Sequence, residues 1–474
     1  MQLNKYIFTA VRYLSCLGIF IASISSAHAE CPPDFPEKGL IKQHLEQSSI
    51  TDGSLTFGQI VNFGGFLFDA KFNICDGQGR PETTGGGAAR APGQPAFIRT
   101  SAPESNSCSG CHAQPFIGGS GDIVANVFVL AQALDPVTES VSAEFSNERN
   151  TLGMHGSGAI EMLAREMTAD LQSQAAGLSD GEHTLVSKGV EFDVTIAAGS
   201  VIESGGINTD LIVRPFHQAG VVVSLREFTV NAMNHHHGMQ AEERFDLDPL
   251  KGLDFDNDGV HRELTIGDIT AATIWQAQLP VPQQVMPTGH LEREAVLAGE
   301  VLFESVACDS CHKPALVLNS PIFSEPNPYN PAGTWADQAQ SFSWNMTTAG
   351  AQPRLKKIGN KIEVRAYTDL KRHNLCDDPS SVDPIRFYCN EQLAQGRPDH
   401  DGRPGTEFFL TRKLWDVGSS APYGHRGDIT TITEAIRYHG GEARASRDAF
   451  VALPVVDQAK IVSFLKSLQV TSNP

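Results

Sequence analysis

Two short cysteine motifs constrain this chain more than any other feature of its sequence. They read "NSCSGCHAQPF" and "VACDSCHKPAL". Each motif places two cysteines two positions apart with a histidine directly behind the second, namely Cys108, Cys111 and His112, then Cys308, Cys311 and His312. The spacing gathers two thiols and one imidazole within about one turn of backbone. The fold must therefore position two such sets of one histidine and two cysteines.

Three chemistries compete for such a motif. A thioredoxin-like dithiol has no use for the histidine, and paired zinc cysteines usually recur much closer together in the chain. Covalent haem uses all three residues, because the thiols form thioethers with the vinyl groups and the histidine reaches iron from the proximal face. "LEREAVLAGEVLFESV" predicts a helix that runs into Cys308, the order found in cytochrome c domains. The sequence predicts two covalently bound haem c groups with His112 and His312 as proximal ligands.

The amino terminus predicts export. Residues 1–29 have a short basic start, an apolar stretch and an Ala-His-Ala end, the layout of a secretory signal peptide. No later stretch is long and apolar enough to predict a membrane span. We therefore expect a periplasmic protein. In that oxidising compartment the cysteines outside the motifs are expected to pair as Cys376–Cys389 and Cys31–Cys75.

The net charge of −19 limits the partners of the chain. It argues against binding to nucleic acid, which rewards a basic surface. It suits docking of a small basic electron-donor protein through charge complementarity, although solubility alone explains such a charge equally well. The sequence leaves the oligomeric state open.

Hydrophobic periodicity outlines the remaining organisation. "AIEMLAREMTADLQSQA" predicts an amphipathic helix over 159–175, and "VVDQAKIVSFLKSLQ" predicts a closing helix. The alternating, glycine-bounded stretch over 183–216 predicts a β insertion. The predicted fold is mainly α, with two cytochrome c-like haem domains over 30–285 and 286–474 and a small β insertion in the first.

The carboxyl-terminal stretch "FFLTRKLWDVGSSAPYGHRGDITTITEAIRYHGGEA" resembles the di-haem cytochrome c peroxidase superfamily. "CSGCHAQPFIGGSGDIVANVFV", "SGAIEMLAREMTADL" and "VSLREFTVNAMNHHHGMQ" are similar to its di-haem oxidoreductase branch. The resemblance implies a periplasmic enzyme that reduces hydrogen peroxide, or another small oxidant, with electrons from a small periplasmic carrier. Two alternatives stay open: an electron-transfer cytochrome without its own chemistry, and a high-valent-iron enzyme that oxidises a partner protein or an organic substrate.

The resemblance also implies catalytic residues. Members of the superfamily have a distal glutamate after an Arg-Asn stretch, and Glu161 matches it, with His155 as a removable ligand or second proton carrier. A glutamate near a helix start and a plain loop histidine are the alternatives. In "NHHHGMQ", one of His235–His237 or Met239 is a candidate ligand or propionate partner. Trp275 and Trp415 are candidate electron stepping stones or core residues.

The distal side of the second haem departs from the superfamily. Many members have methionine within the Pro-Tyr-x-His stretch, where this chain has Gly424, which cannot bind iron. Tyr423, His425 and Met346 are the candidate distal ligands, with His373 a further one, and a non-methionine ligand is favoured. A phenolate from Tyr423 would lower the reduction potential.

"DFDNDGVHREL" resembles the first half of an EF-hand loop, with carboxylates from Asp254, Asp256 and Asp258. The twelfth position is Thr265 instead of glutamate, which argues against a complete EF-hand. The resemblance implies Ca²⁺ between haem domains, so the three aspartates are candidate calcium ligands. An ordinary Asp/Asn/Gly turn is the alternative.

Overall fold

The computed structural model describes residues 35–79, 105–122, 124–128, 146–245, 259–348, 355, 357, 359, 361–389 and 407–471. The predicted signal peptide, Cys31 and the proposed calcium ligands Asp254, Asp256 and Asp258 lie outside these residues, so those calls stay predictions. Within the described ranges, no helix combines the length and the apolar character needed to cross a membrane.

The described residues form helices along the whole chain. In chain order they are α1 (Gln47–Thr51), α2 (Phe57–Asp69), α3 (Ser157–Ala175), α4 (Leu225–Ala232), α5 (Glu242–Phe245), α6 (Ile266–Ala277), α7 (His290–Ser305), α8 (Ile432–Arg437), α9 (Arg444–Ala452) and α10 (Val455–Ser467). A π-helical turn, Met233–His237, continues α4. The helices predicted over 159–175, before Cys308 and at the end of the chain are confirmed.

Short antiparallel strands connect the helices. They are β1 (Val124–Phe128), β2 (Ser146–Asn150), β3 (Gly181–Ser187), β4 (Val190–Ala197), β5 (Ser200–Ser204), β6 (Gln283–Gln284), β7 (Leu316–Leu318), β8 (Ile322–Glu325), β9 (Phe342–Asn345), β10 (Ile362–Val364), β11 (Arg372–Asn374), β12 (Phe408–Leu410) and β13 (Leu468–Gln469). The predicted β insertion is the three-stranded sheet β3-β4-β5. The other strands form two-stranded pairs: β1-β2, β6-β13, β7-β10, β8-β9 and β11-β12.

The prediction of a mainly α fold was wrong in its proportions. Among the described residues, helices account for 37% and strands for 16%, so this part of the chain is mixed α/β. The missed strands have two to five residues, and several of them, such as β7 and β11, pair with distant segments. So short a run shows too little alternation to be distinguished from a loop.

Side chains at the starts of α2 and α6 cap them. Thr56 accepts a hydrogen bond from the Gln59 N–H, and the Gln59 side chain accepts one from the Thr56 N–H at 2.9 Å. Thr265 and Asp268 form the same reciprocal pair at α6, with distances of 3.1 and 3.0 Å. Each such cap stabilises a helix by about 1 kcal/mol. Both helices therefore begin where local sequence places a cap.

Glycines allow two helix pairs to pack with their backbones close together. In α2, a Cβ on Gly64 would lie 2.0 Å from the Ala271 carbonyl oxygen of α6. In α7, a Cβ on Gly299 would lie 2.0 Å from the Lys460 carbonyl oxygen of α10. Only glycine permits such an approach. The two pairs, α2–α6 and α7–α10, have the most extensive helix contacts of the described chain.

Each helix pair supports one cysteine motif. Phe68 of α2 lies 6.2 Å from the His112 ring, and Phe303 of α7 lies 6.3 Å from the His312 ring, both measured between centroids. The interplanar angle is 53° in both cases. The same aromatic-to-histidine arrangement therefore occurs twice.

The predicted disulfide Cys376–Cys389 is present. Cys75 is also disulfide-bonded, and its predicted partner Cys31 lies outside the described residues. Within the loop that the first bridge closes, the Asp377 carboxylate accepts hydrogen bonds from the N–H groups of Ile385 and Gly441, both at 2.7 Å. These bonds hold the loop against the segment between α8 and α9.

Candidate functional site

One cavity joins the two cysteine motifs. Its volume is about 720 Å³, and both cysteines and the histidine of each motif line it, together with residues of 150–160, 215–237, 409–425 and 432–447. All four motif cysteines are free of disulfides. The fold has therefore brought two segments that are distant in the chain to the same internal space.

The first motif is a short 3₁₀ turn, Cys108–Gly110, with His112 directly behind it. The His112 N–H donates to the Cys108 carbonyl at 2.9 Å. Its ring Nδ1 lies 3.3 Å from the Gly119 carbonyl oxygen. Because a carbonyl oxygen can only accept, Nδ1 carries the proton and Nε2 keeps its lone pair. This is the tautomer of an imidazole that binds metal through Nε2.

The second motif repeats this geometry. Its 3₁₀ turn is Cys308–Ser310, and the His312 N–H donates to the Cys308 carbonyl at 3.1 Å. The ring Nδ1 of His312 donates to the Tyr367 carbonyl at 3.1 Å. Burial lowers the pKa of His112 and of His312 to about 4, so both imidazoles are neutral. Both motifs therefore present a neutral, oriented imidazole beside two thiols.

The geometry disfavours zinc at these cysteines. Among the described residues, one cluster of three histidine, cysteine or acidic side chains has ligand atoms within 4.8 Å of one another: Cys311, Asp369 and His373. The cysteines of the two motifs do not come together, as a site built from both pairs would need. Burial also raises the pKa of Cys108 and of Cys308 to about 12, so both side chains are neutral thiols in the chain by itself.

His373 lines the cavity as an imidazolium. Its ring nitrogens lie 2.9 Å from Asp369 Oδ2 and 2.7 Å from Glu442 Oε2. Burial alone would lower the pKa of His373, but the hydrogen bonds to Asp369, Cys311 and Glu442 raise it to about 11. A protonated ring has no lone pair for iron, so this geometry speaks against His373 as a ligand.

Of the candidate distal ligands besides His373, two reach the cavity and one does not. Tyr423 and His425 both line it. The Tyr423 hydroxyl donates to the Val417 carbonyl at 3.1 Å, and burial raises the pKa of this phenol. Met346 lies in the hydrophobic core, where its sulfur accepts from Gln278 Nε2 and Trp344 Nε1, both at 3.1 Å. Its location speaks against Met346 as an iron ligand.

Glu161 lies one layer behind the cavity wall. Its side chain is fully buried, while Ser157 and Ile160 of the same helix line the cavity. The carboxylate accepts from Arg165, from Asn327 Nδ2 at 2.9 Å and from the Leu225 N–H at 2.9 Å. These bonds favour a structural role, and the catalytic role of Glu161 stays a prediction.

His155 and Trp415 are buried beside the cavity. His155 is 4% exposed, and neither of its ring nitrogens has a hydrogen-bond partner in the described part of the chain. Burial lowers the pKa of His155, and the nearby Asp416 carboxylate acts in the opposite direction. Trp415 is 1% exposed and packs against Gly156, where a Cβ would lie 2.4 Å from the indole. Neither residue lines the cavity, so their predicted roles stay untested.

The histidine run "NHHHG" ends α4 in the π-helical turn. His236 and His237 line the cavity. The His237 Nδ1 donates to the Ser105 carbonyl at 2.7 Å, and its Nε2 lies 3.4 Å from Cys108 Sγ. His237 therefore lies directly beside Cys108 of the first motif. Trp275 packs on Phe68 with centroids 4.4 Å apart and belongs to the helix packing below this motif.

The cavity residues that sequence reasoning missed include His439, Lys413 and Arg447. His439 donates from Nδ1 to the Ala435 carbonyl at 2.8 Å, and burial lowers its pKa. Lys413 donates to the Gly153 carbonyl at 2.7 Å, and burial together with Arg412 lowers its pKa to about 7. For Lys413 the local signal was a basic residue inside the largely apolar stretch "FFLTRKLWDV", which by itself does not predict a cavity.

Residues 342–468 match the family model described as "Di-haem oxidoreductase, putative peroxidase". This match confirms the predicted resemblance to that family in the carboxyl-terminal part of the chain. The matched segment includes Tyr423, His425 and Lys413 but neither cysteine motif. Haem cofactors and enzymatic activity are what this family description implies for its members. No curated protein matches the chain.

Two solved structures show weak similarity. Kuenenia stuttgartiensis hydrazine synthase, pressurised with xenon, is 13% identical with a TM-score of 0.35, over 98% of this chain and 100% of that chain. A MauG-like protein associated with microbial copper homeostasis is 17% identical with a TM-score of 0.28, over 70% of this chain and 91% of that chain. At these values neither likeness carries an argument about this protein.

Proposed function

We propose that this protein is a periplasmic di-haem c-type oxidoreductase that reduces hydrogen peroxide with electrons from a small donor protein. The supporting observation is the repeated motif geometry: two Cys-x-x-Cys-His segments, each with its histidine oriented by a backbone carbonyl, line one cavity. Reduction of one peroxide to two waters consumes two electrons and two protons. Two redox centres in one chain can store those two electrons.

The residues present fit covalently attached haem. The thiols of Cys108 and Cys111, and of Cys308 and Cys311, would carry the thioether bonds, and His112 and His312 would bind iron. A bound haem would supply the iron that exchanges electrons with peroxide. The apolar residues of the cavity wall would limit the access of water.

We further propose that each haem belongs to its own cytochrome c-like domain, 30–285 and 286–474. The α2–α6 and α7–α10 crossings support this division, because each supplies a close glycine contact and a phenylalanine beside one motif histidine. The net charge of −19 supports docking of a basic donor protein. Turnover with such a donor should fall as ionic strength rises.

Haem content gives the first test. Two haems per chain should survive acid–acetone extraction, and Cys308→Ala with Cys311→Ala should remove one of them. The matched control, Cys376→Ala with Cys389→Ala, removes a disulfide outside the motifs and should leave both haems attached. Two haems in the first double variant would contradict the assignment of the second motif.

Peroxide reactivity gives the second test. In stopped-flow experiments the half-reduced protein should react with hydrogen peroxide, show a spectral change, and turn over with a small redox protein. The absence of both reaction and turnover, in protein that carries two haems, would leave an electron-transfer cytochrome without its own chemistry.

Oxidation of a partner protein or an organic substrate is a second candidate, favoured by one observation. Tyr423 reaches the cavity beside Gly424, at the position where many relatives supply methionine. An oxygen ligand would lower the potential of that haem and disfavour simple electron storage. Peroxide consumption that is slow with small donors and fast with a co-purified protein substrate would support this candidate.

We retain Ca²⁺ as a proposed cofactor through Asp254, Asp256 and Asp258. The carboxylate spacing of the sequence is its support. Chelation should slow turnover, and Asp256→Ala should reproduce that effect without chelator. Indifference to both changes would assign the loop to ordinary turns.

A further inference from the structure

Two cationic side chains line the cavity, although buried charges are costly unless they are paired. The side chain of Lys413 is 12% exposed and that of Arg447 is 14% exposed. Both belong to the wall of the same cavity as the two motifs. Neither has been given a role by the peroxide chemistry above.

Lys413 has unused hydrogen-bonding capacity. Within the described residues, its ammonium makes one hydrogen bond, to the Gly153 carbonyl at 2.7 Å. The nearest carboxylate oxygen, Asp416 Oδ2, is 3.9 Å away and also lies 3.4 Å from Arg412 Nη2. An ammonium has three donors, and 3.9 Å is too long for a hydrogen bond. When Lys413 is protonated, Lys413, Arg412 and Asp416 together carry one net positive charge. Burial lowers the pKa of Lys413 to about 7, so a bound carboxylate would stabilise the protonated form.

Arg447 also has unused hydrogen-bonding capacity. Its Nε and Nη2 groups are buried without hydrogen-bond partners in the described part of the chain. The nearest acid, Asp448, lies 3.0 Å from Nη2 but out of hydrogen-bond alignment, and its own side chain is 52% exposed. A guanidinium with two open N–H groups matches the two oxygens of a carboxylate.

Each of the two cationic side chains lies near a different cysteine motif. The Lys413 acceptor, Gly153, precedes Met154, whose N–H donates to Gly118 beside the carbonyl that orients His112. Lys413 is thus at the first motif. Arg447 follows Ser446, whose hydroxyl donates to the Ala307 carbonyl at 3.0 Å, immediately before Cys308. Arg447 is thus at the second motif.

We propose that Lys413 and Arg447 are the carboxylate-binding residues of the cavity, and that they pair with propionates of the haems at the first and second motifs, respectively. This inference rests on the haem content of the proposed function but not on its peroxide chemistry. Because Lys413 lies in the carboxyl-terminal part of the chain, the pairing would tie that part to the first haem.

The test measures the reduction potential of each haem in the purified full-length protein. Lys413→Met should lower the potential of the first haem, because an unpaired propionate stabilises ferric iron, and Arg447→Met should do the same to the second. Each shift should be about three times or more that of the exposed controls Lys42→Met and Arg293→Met, whose charges water screens. The double variant of Cys308 and Cys311 identifies the signal of the first haem.

Charge-retaining variants separate pairing from folding. Lys413→Arg and Arg447→Lys should bind both haems and keep potentials close to those of the original protein. Resonance Raman bands of the propionates should shift in the methionine variants and not in these two. Shifts no larger than those of the controls, or equal shifts in the charge-retaining variants, would overturn the proposal.

A free carboxylate could also occupy such a site. Titration with acetate distinguishes a haem propionate from a free carboxylate as the occupant. If a propionate already pairs with each cation, added acetate should not change the reduction potentials. An acetate-dependent potential that disappears in Lys413→Met or Arg447→Met would overturn the propionate assignment and identify a binding site for free carboxylates. A protein that has both haems and these shifts but no peroxide turnover would contradict the proposed function alone.

Discussion

Gly424 has no ligand atom to offer at the position where many relatives have methionine. Its φ of +77° is favoured by glycine, and a Cβ there would lie 3.0 Å from the Ile429 side chain. The turn that Gly424 makes leaves Tyr423 and His425 on the cavity wall. Under the proposed haem content, any distal iron ligand from this turn would have to come from a residue other than Gly424.

We expect the second haem to lack the near-infrared sulfur-to-iron absorption band of methionine ligation. Near-infrared absorption of the oxidised protein measures this directly. Met346→Leu should leave the spectrum unchanged, because that sulfur is engaged with Gln278 and Trp344 in the core. A band that vanished in this variant would show that Met346 is the ligand after all.

Substitution of Glu161 tests whether this carboxylate has a structural or a catalytic role. Glu161→Gln replaces one acceptor oxygen with a donor that faces other donors, so we expect a loss of about 1–3 kcal/mol in the free energy of unfolding. Asp170→Asn is the control on α3, since this carboxylate is exposed to solvent and its replacement should cost less. Denaturant unfolding measures both.

Peroxide turnover of the Glu161→Gln variant tests whether Glu161 also has a catalytic role. If its role is structural, folded Glu161→Gln protein should retain peroxide turnover and its pH profile at temperatures well below unfolding. A large loss of turnover at unchanged stability would instead establish the predicted catalytic role.

The crossing of α7 and α10 depends on a bare backbone at Gly299. Gly299→Ala would place a Cβ 2.0 Å from the Lys460 carbonyl oxygen, so the helices must separate, at a cost of about 1–3 kcal/mol. Because α7 runs into the second motif, we also expect a change in the absorption of the second haem. Thermal unfolding and visible spectra measure the two effects.

Gly58 is the control for this substitution. It lies in α2, and an added Cβ would meet nothing within 4 Å. Gly58→Ala should therefore be neutral or stabilise the protein by up to about 1 kcal/mol through helix propensity. Equal losses in both variants would mean that the close helix crossing is not the cause.

A buried charge network connects helices α3, α4 and α5 with strand β8. Arg226 of α4 donates to Glu243 of α5 at 2.7 Å and to Glu325 of β8 at 2.9 Å. Arg165 binds Glu161 and lies 4.0 Å from Glu325. Three carboxylates thus face two guanidiniums, leaving one excess negative charge unless a proton is held.

Glu325 is the group that we expect to hold this proton. Burial raises the pKa of Glu325 from 4.5 to about 7. Arg226 opposes this shift, and the negative charge of Glu161 adds to it. Because the folded-state pKa is the higher one, the folded protein binds more protons than the unfolded chain between these values. Stability from this group is full below pH 4.5 and falls as the pH rises towards about 7.

Glu325→Gln should remove that decline, since glutamine cannot titrate but still accepts from Arg226. Denaturant unfolding at several pH values between about 4.5 and 7 measures the slope. Asp457→Asn, on the partly exposed surface of α10, should leave the slope unchanged. An unaltered slope in Glu325→Gln would assign the pH dependence to other groups.

Much of the site was accessible from the sequence because its signals are local. The two Cys-x-x-Cys-His motifs, the helix before Cys308, the β insertion and the Cys376–Cys389 bridge each depend on residues close together in the chain. The family match confirmed the resemblance carried by the segment around Tyr423. Helix starts at Thr56 and Thr265 likewise follow from capping pairs three residues apart.

Only the tertiary structure decided which side chains face the cavity. Lys413 and Arg447 line it, Met346 lies in the core, and Glu161 stands behind the wall. Glu161 is bound to Asn327 across 166 positions of sequence. Such placements arise from packing between distant segments, and hydrophobic periodicity reports only whether a residue is buried, never which partner it meets.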